Sequence, residues 1–284
     1  RRGFMKIDKL TLIEEYKGIL LKRDDLFKLR NVNGGKLRQA IHLIDKNYEE
    51  ILNKHNNSVV CSCSIKSPQS GIIASVCREY NINCNIVVFG TKALNNNLII
   101  AKQEGAKIYS CPSGYNSVIE HYAKKYFPND FFINMGFASK EVLDVNTFQV
   151  ENIPDDLDYL VVPIGSEINF VSILKGLIKF NKKPKEVIGV YVGKDPTNFI
   201  NSFNFKIDYL LVKYNKPYSF WLYIEEGFFD PIYEAKAYEW LLRNLDIKNK
   251  KVLFWVIGKR CMDIKPERIE YFKIEDKNMK LVEV

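Results

Sequence analysis

No stretch of the sequence approaches the ~18 consecutive apolar residues that a bilayer-spanning helix needs, which excludes a helical membrane span. No Cys-x-x-Cys pair occurs among Cys61, Cys63, Cys77, Cys84, Cys111 and Cys261. His42, His55 and His121 lie far apart, so no zinc-ligand spacing is present and no metal is expected. The basic start, Arg1-Arg2, has no apolar segment behind it; Lys6, Asp8 and Lys9 follow at once, unlike a secretory signal. Residues 1–4 read as a remnant ahead of a natural start at Met5. Reduced thiols in a cytoplasmic protein are therefore expected. Internal repeats and low-complexity tracts are also lacking.

What remains is an ordinary globular composition. In 284 residues, 46% are hydrophobic and 27% charged, which excludes collagen, coiled coil and wholesale disorder and allows two lobes. The net charge of +8 favours an acidic partner only weakly, because the lysines are spread along the chain. Richness in Lys, Asn and Ile together also fits an AT-rich genome. Cys61 and Cys63 would share one face of a strand, which suits small buried hydrophobes better than a metal.

Short apolar runs alternate with amphipathic stretches. Strands are expected at 19–22, 58–63, 84–89, 107–109, 159–162, 187–191, 209–211 and 252–256. Helices are expected at 34–46, 71–80, 95–103, 115–126, 169–180, 196–204 and 231–244. This alternation predicts an α/β fold of two lobes, each with a mainly parallel twisted sheet flanked by helices. A polar, proline-containing hinge, Glu151-Asn152-Ile153-Pro154-Asp155-Asp156, and a second crossing near 53–57 divide the chain. Residues 1–52 and 155–284 would form the larger lobe and 53–154 the smaller.

Three strings could carry chemistry. Leu21-Lys22-Arg23-Asp24-Asp25-Leu26 is followed by Asn33-Gly34-Gly35-Lys36-Leu37-Arg38, placing Lys36 in a first helical turn. The positive end of the helix dipole lowers an amine's pKa there and makes it a better nucleophile, although the string also suits a solvated lysine. Val161 to Asn169 reads as a strand, a turn and a helix start, whose backbone amides can cradle an anion or simply make a βα turn. Asp230-Pro231-Ile232-Tyr233-Glu234-Ala235-Lys236-Ala237 opens a helix with proline at the first position. A glutamate in that first turn stabilises by roughly 0.3–1 kcal/mol without any further role.

Taken in order, these strings resemble the pyridoxal-phosphate (PLP) enzymes of fold type II, the tryptophan synthase β-subunit superfamily. The nearest branch is that of 1-aminocyclopropane-1-carboxylate deaminase and D-cysteine desulfhydrase. The resemblance runs from Lys22 to about Arg260, with Gly-Gly-Lys here where the family usually has Gly-Asn-Lys. It implies that Lys36 holds PLP as a Schiff base. It implies that Ser67, in Ser64-Ile65-Lys66-Ser67-Pro68-Gln69-Ser70, faces the substrate, joined by Tyr214 and Tyr233. Glu234 would meet the pyridine nitrogen and strengthen the cofactor as an electron sink. No hydroxyl follows the strand at Ile257-Gly258-Lys259 to take that role instead. A homodimer, a small amino-acid substrate and lyase or deaminase-like activity are implied likewise.

Two departures qualify this. Pro68 stands where the family has the asparagine that binds the cofactor's 3′-oxygen, leaving Gln69 or Ser67 for that contact. Glu167 stands where the phosphate loop usually has glycine. A carboxylate ~5 Å from a phosphate charge costs about 3 kcal/mol at an effective dielectric near 20, falling to about 1 kcal/mol or less at ~10 Å in salt. Phosphate binding by Gly165, Ser166, Ile168 and Asn169 therefore requires Glu167 to point away. The segment between Tyr214 and Tyr233 is also shorter than the family norm. Two alternatives follow: a PLP enzyme for an amino acid linked to a nucleobase, as in DNA modification, or a non-catalytic protein that keeps the fold.

Overall fold

The computed structural model describes residues 5–90, 96–112, 114–224, 227–264, 270–275 and 278–283. The chain opens with strands β1 (Ile13–Tyr16) and β2 (Ile19–Arg23), a small hairpin of β3 (Lys28–Leu29) and β4 (Val32–Asn33), and helices α1 (Gly35–Lys46) and α2 (Tyr48–Lys54). An alternating stretch follows: β5 (Ser58–Ser62), α3 (Gln69–Tyr80), β6 (Asn83–Phe89), α4 (Asn96–Gln103), β7 (Lys107–Cys111), α5 (Asn116–Tyr126) and β8 (Phe131–Ile133). Short 3₁₀ turns lead to β9 (Tyr159–Ile164), α6 (Ile168–Lys179), β10 (Glu186–Tyr191), α7 (Thr197–Asn201) and β11 (Leu210–Lys213). A long connection reaches α8 (Glu234–Asn244) and β12 (Val252–Val256), and β13 (Glu270–Glu275) and β14 (Asn278–Glu283) close the chain.

Two six-stranded sheets result, in the orders β1-β2-β12-β9-β10-β11 and β14-β13-β7-β6-β5-β8. Only the edge pairs β1–β2 and β13–β14 run antiparallel within them. The central strands are buried on both faces, as in Val59, Val60 and Cys61 of β5 and Val252 to Val256 of β12. That is why they read as continuous apolar runs. Each such Val or Leu contributes about 1.5–3 kcal/mol by leaving water. Cys61, Cys63, Cys77, Cys84 and Cys111 are buried free thiols, and the described residues hold no cluster fit for a metal ion. No helix among the described residues is long and apolar enough to cross a membrane.

The architecture matches the expected two-sheet α/β fold, with differences that have local causes. Strand β1, Ile13-Glu14-Glu15-Tyr16, carries two glutamates on an edge and gave no apolar run. It pairs through a two-residue turn whose Lys17 and Gly18 both have positive φ, the geometry a tight hairpin requires. Pro231 was expected to open a helix, but α8 begins three residues later, at Glu234. The division into lobes differs at the C-terminus: 270–283 was assigned to the larger lobe, yet β13 pairs with β7 in the sheet of the smaller one. Phe272 stacks on Tyr109 there, ring centroids 5.0 Å apart. Residues 1–4 and Asn95, the first residue of an expected helix, lie outside the described residues.

The Lys22-Arg23-Asp24-Asp25 string is a structural network. Asp24 Oδ2 accepts from Trp255 Nε1 at 2.9 Å, and its Oδ1 from Thr11 Oγ1 at 2.8 Å, with Arg38 Nη1 3.3 Å away. Arg23 forks onto Asp25 at 2.8 and 2.7 Å and also pairs with Glu14. Lys22 Nζ donates to Thr11 O at 2.9 Å and Asn152 Oδ1 at 2.5 Å, tying the hinge segment to the sheet; burial pushes its pKa down to about 8. Arg38 is fully buried, so removing its counter-charge strands a cation. Asp24→Ala is expected to cost about 3–5 kcal/mol in unfolding free energy. Urea denaturation of the two proteins checks this; a loss under about 1 kcal/mol would mean that Arg38 finds another partner.

Candidate active site

Helix α1 begins where Gly34, at φ +88°, passes the end of β12. Gly35 N donates to Ile257 O at 2.9 Å, and a β-carbon on Gly34 would lie 2.3 Å from that same oxygen. This approach sets Lys36 beside the C-terminal end of the sheet, where open α/β sheets collect their ligand sites. There a cleft of about 760 Å³, open mouth included, lies between the two sheets. Lys36, Ser67, Tyr233 and Glu234 line it, as do Gly165, Ser166 and Asn169.

The turn from β9 into α6 forms one wall. Gly165 is needed because a β-carbon would sit 2.9 Å from the Tyr233 ring. Ser166 Oγ is buried with no partner among the described residues, and Asn169 Oδ1 accepts from Gln39 at 2.7 Å and Asn146 at 2.8 Å. Glu167 caps the start of α6 and does not line the cleft, although its charge is near enough to act on the Lys36 amine. Ile168 is buried beneath the turn and does not reach the cleft with its side chain.

Asp230 builds the opposite wall. Its Oδ1 accepts from Ile232 N at 2.9 Å and Tyr233 N at 3.3 Å, and its backbone oxygen from Ala235 N at 3.0 Å, which turns the chain into α8. Glu234 is 4% exposed; Oε1 accepts from Gly258 N at 3.3 Å and Oε2 has no partner among the described residues. Desolvation pushes its pKa well above the usual carboxylate range, and the nearby Asp230 charge adds to this. The Tyr233 ring lies 5.8 Å from that of Tyr218, and burial raises its phenol well above its ordinary value. Lys36 meets the cleft with part of its side chain. The protein packed around its amine removes enough water to lower the pKa, a larger influence than any neighbouring charge.

Two predicted residues are turned away from this chemistry. Tyr214 is buried in the core beside β10 and β11, where its hydroxyl donates to Glu239 and burial pushes its pKa up to about 12. Gln69 was a candidate for the 3′-oxygen. Its amide instead holds the 134–136 turn, donating to Asn134 O at 2.9 Å and accepting from Gly136 N at 2.6 Å. Ser67, the other candidate for that contact, lines the cleft. Sequence reasoning missed Arg260 and Asp230, which both line it. The signal that could have found Arg260 is its place just past the end of β12, where open α/β sheets collect their ligand sites.

The two buried ionisable groups cost stability in ligand-free protein. The folded-state pKa of Glu234 lies above its unfolded value, so its contribution is lost as pH rises from the unfolded carboxylate pKa towards the folded one. Glu234→Gln should therefore raise the unfolding temperature by a few degrees near pH 7–8 and change little near pH 4. Thermal melts at both pH values test this; an equal shift at both would point to a packing effect.

No family model matches the sequence. A curated relative from Salmonella phage ViI, described as "O-seryl-dTMP PLP-dependent decarboxylase", is 28% identical over 217 residues, 66% of this chain and 50% of that protein. The chain thus matches about half the length of this relative. Among solved structures, an "ACC deaminase homologue" superposes with a TM-score of 0.68 at 19% identity, covering 84% of each chain. The O-acetylserine-dependent cystathionine β-synthase of Helicobacter pylori superposes with a TM-score of 0.61 at 16% identity, covering 90% of this chain and 95% of that one. With its two parallel sheets and the cleft between them, the chain has the fold of the fold type II PLP-dependent enzymes.

Proposed function

We propose that the chain is a PLP-dependent enzyme that acts on an amino-acid substrate through Lys36, by lyase or deaminase-like chemistry. The observation that carries this is one cleft that joins an amine of lowered proton affinity to two buried, unpartnered oxygens, Ser166 Oγ and Glu234 Oε2. These groups fit the cofactor. Lys36 would hold its aldehyde carbon. Ser166 and the backbone at the start of α6 would take the phosphate. Glu234, whose carboxyl has lost its water, would regain a partner in the ring N–H. Bound PLP supplies an electron sink for a carbanion beside the amino nitrogen.

The rest is the work of this chain's own side chains. Burial raises the fraction of Lys36 present as free amine, the form that attacks a carbonyl and can take a proton from carbon. Tyr233, with its raised pKa, stays protonated and can donate from its hydroxyl. Its ring against Gly165 helps keep water from the phosphate side. Ser67 offers a hydroxyl from the smaller lobe, its Oγ already accepting from Gln69 N at 3.2 Å.

A second reading, an amino acid carried on a nucleobase or nucleotide, is favoured by the phage relative, described as acting on O-seryl-dTMP, and by the net charge of +8. Salt-sensitive binding of a DNA oligonucleotide would support it, and absence of binding at low ionic strength would count against it.

Protein supplied with PLP is expected to show a visible absorption band. Borohydride should bleach the band and leave a fixed mass on the peptide that carries Lys36. Lys36→Ala should lose both the band and the fixed mass. A variant that kept them would move the assignment to another lysine, and a wild-type protein that takes up no PLP would leave only the fold.

A further inference from the structure

Along the 64–69 edge of the cleft the backbone amides of Lys66, Ser67 and Gln69 are already bonded within the loop. Lys66 N donates to Ser64 Oγ at 3.4 Å and Ser67 N to Ser64 O at 2.9 Å. Gln69 N is taken by Ser67 Oγ at 3.2 Å, and Pro68 has no N–H. The Gln69 side chain is committed to 134–136. An anionic substrate group arriving at this edge finds these backbone amides occupied.

Arg260 faces the same edge from the end of β12. It is 4% exposed and lines the cleft. Asp230 holds it in a fork, with Nε to Oδ2 at 2.5 Å and Nη2 to Oδ1 at 3.2 Å, and Nη1 donates to Lys66 O at 3.1 Å. The Trp221 ring lies 5.2 Å from its guanidinium carbon. A guanidinium has five N–H donors, and these bonds use three. The other two, one on each terminal nitrogen, have no protein acceptor among the described residues. Fixed by the carboxylate and flanked by the Trp221 ring, they are preorganised for the planar geometry of a carboxylate or phosphate.

We propose that Arg260 is a substrate-binding residue that receives an oxyanion of the substrate at the 64–69 edge of the cleft. This rests on the reading of the cleft as a PLP site. The oxyanion is the carboxylate of the amino acid or a phosphate of an attached nucleotide. Asp230 neutralises part of the cation's charge and sets its orientation, so selectivity comes from donor geometry as well as charge.

The PLP-loaded enzyme is titrated calorimetrically with L-serine and, separately, with thymidine 5′-monophosphate. Arg260→Gln and Arg260→Lys are compared with wild type for PLP content, unfolding midpoint and probe affinity. Both variants are expected to keep their PLP. Arg260→Gln should bind one probe at least ~10-fold more weakly: serine if the group is a carboxylate, the nucleotide if it is a phosphate. Arg260→Lys, which keeps a charge for Asp230, should lose affinity without losing its unfolding midpoint, a split that a purely structural role would not produce. Unchanged affinity for both probes in PLP-loaded Arg260→Gln overturns the proposal, as does failure of the wild type to bind either. If neither variant folds, a crystal structure of the wild type with a probe bound decides: a probe oxygen within hydrogen-bond distance of the guanidinium supports the proposal, and a probe seated elsewhere overturns it. A wild type that takes up no PLP sinks the cofactor reading separately. The same titrations on the cofactor-free chain then test the anion site, and binding indifferent to Arg260 overturns it.

Discussion

Where α1 leaves the small hairpin, the backbone passes so near the end of β12 that only a residue without a β-carbon fits: at Gly34 that atom would stand 2.3 Å from the Ile257 oxygen. The hydrogen bond from Gly35 N to the same oxygen holds the approach. Everything in the cleft is measured from this junction. It brings Lys36 to the end of the sheet, and Glu234 reaches the adjoining Gly258 N from α8. A larger residue at Gly34 would part α1 from β12 and separate the amine from the carboxylate. A second constraint of the same kind lies across the cleft, where Gly165 lets the Tyr233 ring close over the turn into α6.

The molecule treats its buried charges in two ways. Around Asp24 they are tied to one another or to neutral oxygens. Asp24 faces Arg38 and Trp255, Arg23 faces Asp25 and Glu14, and Lys22 spends its amine on Thr11 O and Asn152. Such sets hold elements in register, although burial still lowers the pKa of Lys22 and Arg38. In the cleft the matching is incomplete. Glu234 has one oxygen bonded and one bare, Ser166 Oγ is bare, and at the amine of Lys36 the loss of water outweighs the neighbouring charges. Incomplete matching lowers the stability of the ligand-free protein, and perturbed, unpartnered groups in one cleft are what a binding site requires.

Asp230 joins the two regimes. One carboxylate turns the chain into α8, which places Tyr233 and Glu234, and also grips Arg260, which reaches Lys66 O in the smaller lobe. The helix that carries the carboxylate, the strand end that carries the guanidinium and the loop that carries Ser67 are therefore positioned together. The 134–136 turn is held from below by Gln69, a residue whose amide the sequence suggested for ligand contact.

The sequence by itself determined the alternation of strands and helices, because central parallel strands are buried on both faces and so print an uninterrupted apolar run. It also marked Lys36, Gly165, Ser166, Tyr233 and Glu234 as candidates, because each lies beside a strand end or a helix start that local glycine and proline patterns mark, and Ser67 through the resemblance to a known family. Only the tertiary structure decided which of these chemistries share a cleft. Side-chain direction and long-range partners leave no local periodicity. Tyr214 turns into the core towards Glu239, and Gln69 is claimed by a turn far away in sequence. Strands β13 and β14 join the sheet of the smaller lobe because Phe272 finds Tyr109, a pairing between segments separated by most of the larger lobe. Arg260 belongs to the cleft for the same reason: its partners, Asp230 and Lys66 O, are far apart in sequence and meet only in the folded chain.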